Sequence, residues 1–319
     1  MQKELLMKHN NFHLTTSIQT YNNNFIYCII KFENYFLLST SNGYIILYNI
    51  NTYKIKQILK LSESSIKYMY LLKENYILFC TLNGELKIIE IKNGSHNDIQ
   101  ILNKNNRETI KKCIQFSNGK LICSCQERNI KFWKKENNGN AYLYDKEINI
   151  NPKFIYNIIE INDNEICSIE KEDTKYYINF YNINENKIIN SILSFKELLL
   201  QTQSAIKYDN NLLIVGADNG LMFINYIEHF YKGLIKFESK PWCIYKLLSN
   251  NLLIGDSIGN LFNIKLIDKD NLKIKIFNKT NKVLNRMINN ILEFKVKNNN
   301  NKIIVGGNDE YFKIYEFLN

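Results

Sequence analysis

The side chains best suited to gripping another molecule are gathered late in the chain. Lys240, Pro241 and Trp242 stand together, and a lysine-rich run from Lys265 to Lys302 follows. Trp is enriched where interfaces draw most of their binding energy, which makes Trp242, with Lys240 beside it, a candidate anchor. The run holds ten basic residues (Lys265, Lys269, Lys273, Lys275, Lys279, Lys282, Arg286, Lys295, Lys297, Lys302) against three acidic ones (Asp268, Asp270, Glu293), a net +7 of the chain's +10. Such a field suits an acidic protein segment, RNA or an anionic lipid; the rival reading is a solvated edge kept soluble by lysine. Of 41 basic residues only Arg107, Arg128 and Arg286 are Arg. The abundance of Lys, Asn, Ile, Tyr and Phe is also what AT-rich codons produce. Arg, with its planar fork, is the residue expected where bases or phosphates are held specifically. A protein partner therefore leads, with contacts at Lys240, Trp242, Lys279, Lys282 and Arg286, and nucleic acid on residues 265–302 is the alternative.

Nothing in the chain spells a reaction. The acidic pairs Glu170 with Glu172 and Asp268 with Asp270 fall in expected turns or outer strands, where carboxylates are solvated and keep ordinary acidity. There is no Gly-rich phosphate loop opening a helix, no nucleophile elbow and no His-Glu-x-x-His. The four His are scattered and no Cys-x-x-Cys occurs, so neither a metal nor a cofactor is expected, and a small-molecule substrate is not either. The seven Cys (Cys28, Cys80, Cys113, Cys123, Cys125, Cys167, Cys243) lie mostly inside apolar strand-like runs. An odd number so placed predicts reduced, buried thiols in the cytoplasm or nucleus. Residues 1–20 lack the apolar core of a secretory signal, and no segment reaches membrane length without charges, so no membrane insertion is expected.

The elements that would position these residues follow from a repeat. Phe25–Phe32, then Phe36–Ser41 with Asn42-Gly43, then Tyr44–Ile50 form an apolar stretch, a second stretch ending in small residues, a tight turn and a third alternating stretch. This is the pattern of consecutive antiparallel strands, with Asn-Gly supplying the positive φ of a two-residue hairpin. It returns with starts near 25, 66, 110, 154, 202, 242 and 287. Steps of roughly 40 to 48 residues are those of a four-stranded propeller blade. A weaker, Lys-rich outer strand completes each copy and blunts edge pairing. The seventh copy stops one strand short, while Phe12–Ile18 is strand-like and has no copy of its own. The two deficits cancel if the N-terminal strand completes blade seven.

The fold class predicted is thus all-β, a single seven-bladed β-propeller over residues 1–319. Helical periodicity fails throughout, apart from a short turn around residues 195–203, and residues 298–301 read as a solvated asparagine insertion. Pro152 and Pro241 each fall just before a first strand, where a missing amide donor is tolerable. Trp133, ending a third strand, is expected in the core, and Trp242, opening the sixth innermost strand, near the rim of the central channel.

The third strands end at Tyr48-Asn49, Trp133-Lys134, Tyr181-Asn182 and Tyr315-Glu316, and Asn42, Asn83, Asn129, Asp173, Asp218 and Asp309 stand in the turns before them. This resembles the Trp-Asp ending and the loop Asp of WD-repeat propellers, although no true Trp-Asp pair and no opening Gly-His occurs. The resemblance implies a non-enzymatic scaffold or adaptor within a multiprotein assembly, binding a peptide or protein surface on a propeller face. A phosphoinositide-binding relative uses a paired-Arg motif, which this chain lacks.

Overall fold

The computed structural model describes residues 12–72, 76–92, 95–103, 109–125, 129–136, 141–150, 154–194, 204–218, 220–296 and 301–317. Among them are 28 strands, arranged as seven sheets of four antiparallel strands. We name the strands a to d from the channel outward. The a strands open at Ile26, Ile66, Ile110, Phe154, Ala205, Pro241 and Ile288, each within three residues of the sequence expectation. They touch one another around a common axis, so the chain is a seven-bladed β-propeller.

Closure follows the predicted route. Phe12–Gln19 lies against Tyr311–Phe317 as the outermost strand of blade 7, in register from Phe12↔Phe317 to Gln19↔Tyr311. The Thr20 amide then donates to the Glu310 carbonyl at 2.7 Å, and the Phe12 and Phe317 rings meet edge to face at 5.1 Å. An antiparallel pair joining the two ends of the ring leaves blade 7 with no unfilled edge.

The b strands are almost wholly buried, as in Leu121–Cys125 and Leu212–Ala217, the a and c strands mix buried with partly buried residues, and the d strands are half exposed. The apolar side chains form layers between neighbouring blades that follow one another around the ring: blades 1 to 3 share one cluster, and others join 3 to 4, 4 to 5, 5 to 6, 6 to 7 and 7 to 1. Burying one Ile, Leu or Phe contributes about 1.5–3 kcal/mol, so these layers dominate stability. Trp133 sits in the first cluster at 3 % exposure, as expected.

Two local devices recur. The c strands of blades 1, 4, 5 and 6 end in Asn49, Asn182, Asn225 and Asp268, whose side-chain oxygens accept from the amides two and three residues on. This Asx turn reverses the chain into strand d. The second device is a β-bulge near the start of the a strand, with its extra residue at Tyr27, Lys67, Lys111, Tyr156, Trp242 and Asn289. A bulge leaves that residue unpaired and re-aims its side chain.

Three expectations are corrected. Cys113 and Cys123, directly opposite on strands a and b of blade 3, form a disulfide, while Cys28, Cys80, Cys125, Cys167 and Cys243 are buried thiols outside it. Facing positions of a hairpin bring two sulfurs together whatever the Cys count of the chain. Glu170 is not solvated but fully buried on strand b of blade 4. It accepts hydrogen bonds from Ser168, Asn179 and, at 2.6 Å, the Tyr181 hydroxyl, and this hydroxyl network replaces water around the carboxylate. Asn129 opens strand c of blade 3 instead of lying in the turn before it. Pro152, residues 195–203 and residues 298–300 lie outside the described residues, whereas Asn301 opens strand b of blade 7.

Candidate functional site

The connection from blade 6 to blade 7 is built around a plug. Val283 and Leu284 are 1 % and 0 % exposed and sink into the layer between these blades, leaving Lys282, Asn285 and Arg286 on the outside. Four backbone amides hold the plug. Those of Lys282, Leu284 and Asn285 donate to Asn260 Oδ1 at 3.0 Å, the Gly259 carbonyl at 3.2 Å and Asp309 Oδ2 at 2.7 Å, and the Asn308 amide donates to the Met287 carbonyl at 3.1 Å. Gly259 makes the close approach feasible. Its φ is +89°, and a Cβ there would lie 2.0 Å from the Leu284 carbonyl oxygen.

Asp256 organises the neighbouring turn. Fully buried, it accepts from Ser239 Oγ at 2.6 Å, Asn260 Nδ2 at 2.7 Å and the amides of Asn260 and Ile258 at 2.6 and 3.0 Å. Ser239 belongs to the connection from blade 5, where the Lys240 carbonyl accepts from the Ser257 amide at 3.0 Å. Residues 238–242, 256–260 and 279–287 therefore form one rim, and this rim carries all five predicted contact residues.

Their electrostatic situations differ. Lys240 is ion-paired with Asp218 and Lys279 with Glu238. Lys282 and Arg286 are exposed and form no ion pair among the described residues; the Arg286 guanidinium lies 5.8 Å from the Phe25 ring. Trp242 occupies the blade-6 bulge at the channel mouth, partly exposed, with its indole Nε1 buried and unpartnered.

Most of the basic run lies on strand d of blade 6, the plug connection and strand a of blade 7, as expected, but Lys265 belongs to strand c of blade 6, Lys269 to the turn after it and Lys302 to strand b of blade 7, and acids reach into the run. Asp209 pairs with Lys269, whose ammonium is held above its usual range by the hydrogen bond to that carboxylate. Glu316 and the Tyr53 hydroxyl meet Lys302. Lys297 lies outside the described residues. Asp268 is the capping residue of an Asx turn, which holds its carboxyl below the usual range through the Asn271 amide, and Asp270 is exposed in the same turn. Among the described residues, no group of three or more His, Cys, Asp and Glu side chains is gathered as a metal would require, and no helix is long and apolar enough to cross a membrane.

Sequence reasoning missed Asp256, although Gly-Asp-Ser-Ile-Gly carried the turn signal. It also missed Lys67, Lys111 and Lys112 on the a strands of blades 2 and 3, where they stand among residues that look like ordinary strand alternation. No family model and no curated protein matches the chain.

Proposed function

We propose that the propeller is a non-enzymatic adaptor of the WD-repeat type, a subunit of a multiprotein assembly that holds an acidic protein segment on the face carrying the blade-to-blade connections. The observation that carries this reading is the plug connection, which presents Lys282 and Arg286 outward, unpaired, on a backbone fixed by buried Val283 and Leu284. A basic loop already held in place loses little further entropy on binding, so its charge is available for affinity and steering. Lys240 and Lys279 extend the same rim. Their exposed ion pairs are worth about 0–1 kcal/mol each, so an incoming carboxylate can exchange with Asp218 or Glu238 at small cost. Trp242, partly exposed, adds an aromatic contact at the inner end.

The WD-repeat assignment draws on strand endings at Asn49 and Asn182, which cap the turn into strand d, and on turn carboxylates Asp256 and Asp309, which tie each turn to the preceding connection. Five buried thiols outside the disulfide suit the cytoplasm or nucleus.

The test is affinity purification of the tagged protein from its own cells, with and without nuclease, beside a Lys279→Glu, Lys282→Glu, Arg286→Glu variant. Protein partners that survive nuclease and are lost about tenfold or more from the variant are expected, since three rim charges are reversed. Partners that vanish with nuclease, together with binding that falls steeply with salt, would transfer the rim to nucleic acid. Partners retained fully by the variant would remove it from the interface.

A further inference from the structure

The residues released by the a-strand bulges stand at one level of the channel mouth, in the order Tyr27, Lys67, Lys111 and Tyr156 around blades 1 to 4. The Lys67 ammonium lies 3.4 Å from the centre of the Tyr27 ring, and that of Lys111 lies 5.5 Å from the Tyr156 ring. Each lysine thus leans onto the aromatic ring of the blade beyond it, away from the other lysine. Burial, together with repulsion from Lys67, lowers the pKa of Lys111. Next along the strand, the Lys112 ammonium donates to Asn157 Oδ1 at 3.0 Å.

None of these three lysines has an ion partner among the described residues. The ionisable group that interacts with Lys112 is Cys28, which in turn meets Tyr68, while Lys67 and Cys80 face Lys111. Burial pushes the Cys28 thiol up to about 12 and the Tyr68 hydroxyl well above its usual range, so both are neutral near pH 7. Burial pushes Lys112 down to about 8. Three ammonium groups on two adjacent strands, without a carboxylate, are an arrangement that proteins complete with a counter-ion.

We propose that the channel mouth between blades 1 and 4 binds a compact polyanion, a small molecule carrying two or more phosphate or carboxylate groups, held by Lys67, Lys111 and Lys112 and walled by Tyr27 and Tyr156. Lys67 and Lys111 lean apart onto different rings, which favours an anion carrying several charged groups over a single small one. The site is independent of the adaptor reading, which uses the rim of blades 6 and 7. Binding draws Lys112 toward its charged form and so takes up protons wherever the free amine is partly neutral.

The probe is inorganic tripolyphosphate added to the full chain, followed by calorimetry and thermal melting, with sulfate at matched ionic strength and hexaglutamate as comparisons. Tripolyphosphate is expected to raise the melting temperature by several degrees and sulfate to have little effect. Affinity is expected to fall as pH rises from 7 to 9, with a heat that changes with the ionisation enthalpy of the buffer. Lys67→Gln with Lys111→Gln, two partly exposed changes that spare the core, is expected to weaken binding at least tenfold. Lys282→Gln with Arg286→Gln is expected to leave it unchanged. No stabilisation of the wild-type chain by tripolyphosphate overturns the proposal, as does equal affinity in the Lys67→Gln, Lys111→Gln protein. Tight binding of hexaglutamate in place of tripolyphosphate also overturns it and assigns the mouth to an acidic peptide. Failure of the adaptor reading would appear only in the purification experiment and leave these outcomes intact.

Discussion

Replacing Asp256 by alanine removes no residue of the proposed rim, yet should loosen it. The carboxylate accepts four hydrogen bonds, two from backbone amides in its own turn and two from Ser239 and Asn260. A hydrogen bond to a charged group contributes about 1.5–3 kcal/mol, and an unsatisfied buried donor costs about 1–3 kcal/mol. Turn amides recover part of this by bonding to water, so the expected net loss is that of about two bonds, roughly 3–5 kcal/mol. The effect passes to the plug through Asn260, whose Nδ2 is held by Asp256 and whose Oδ1 accepts from the Lys282 amide. Native-state hydrogen exchange reads this locally, because opening of the turn does not require global unfolding. In Asp256→Ala the amides of Ile258, Asn260, Lys282 and Leu284 should exchange about a hundredfold faster or more, corresponding to about 3 kcal/mol, while those of Leu121–Cys125 in blade 3 should be unaffected. Asp256→Asn, which keeps one acceptor, should lose about half as much. An unchanged Lys282 amide in the alanine variant would refute the argument that this carboxylate positions the rim.

Two further predictions test the backbone and the channel. Alanine at Gly259 must shift the Leu284 and Arg286 carbonyls, at 2.0 and 2.7 Å from its Cβ, whereas alanine at Gly119, also at positive φ, meets nothing within 4 Å. Gly119→Ala should cost only about 1–2 kcal/mol of left-handed strain and Gly259→Ala about 3 kcal/mol or more, a difference of several degrees in melting temperature; equal losses would show that contact with the plug is irrelevant. For Lys112 the folded amine titrates near 8 and the unfolded one near 10.5. The unfolded chain therefore binds more protons between these values, and stability rises with pH through that window, by about 3 kcal/mol when complete. The thiols of Cys28, Cys80, Cys167 and Cys243, all raised by burial, act in the opposite direction as pH approaches 9, since the unfolded thiols ionise first. Both proteins carry these thiols, so the lysine shows in the difference: in urea unfolding from pH 7 to 9 the wild type should have a more positive slope of stability against pH than Lys112→Met, and parallel slopes would contradict the burial of the amine.

The fold was legible because its signals are local. Alternation within the strands, small residues before most of the tight turns and the Asn or Asp that ends the c strands of blades 1, 4, 5 and 6 lie within about ten residues of one another, and their period gave the blade number and the closing strand. What was not legible depended on register. Ser168 and Glu170 share one face of a strand through the two-residue period, and Asn179 and Tyr181 share the same face of the next, so the hydrogen bonds that make burial of Glu170 tolerable come from a neighbour. Read alone, Glu170-Lys171-Glu172 looks like a solvated edge. The Cys113–Cys123 pairing was nearer to view, since both residues lie five positions from Asn118 at the centre of their hairpin turn.

The same reasoning explains why the rim was found and the channel lysines were not. Trp242 was placed at the channel mouth from its ordinal position in the repeat, and the structure puts it there as the bulge residue of blade 6. Aligning the other copies on that position brings Ile26-Tyr27, Ile66-Lys67, Ile110-Lys111, Ile155-Tyr156 and Ile288-Asn289 into one column, in which Ile precedes the bulge residue in five copies and Pro241 precedes Trp242 in blade 6. Residues 40 or more apart in sequence thereby become neighbours at one level of the axis. Charge counted along the chain favours residues 265–302, because there the lysines are consecutive in sequence. Charge counted down that column finds Lys67 beside Lys111, with no acid in the column to balance them. In a ring built from repeats the physically meaningful neighbourhood runs across the copies, so a column of this kind is where a concentrated field can arise from a chain whose local composition shows nothing unusual.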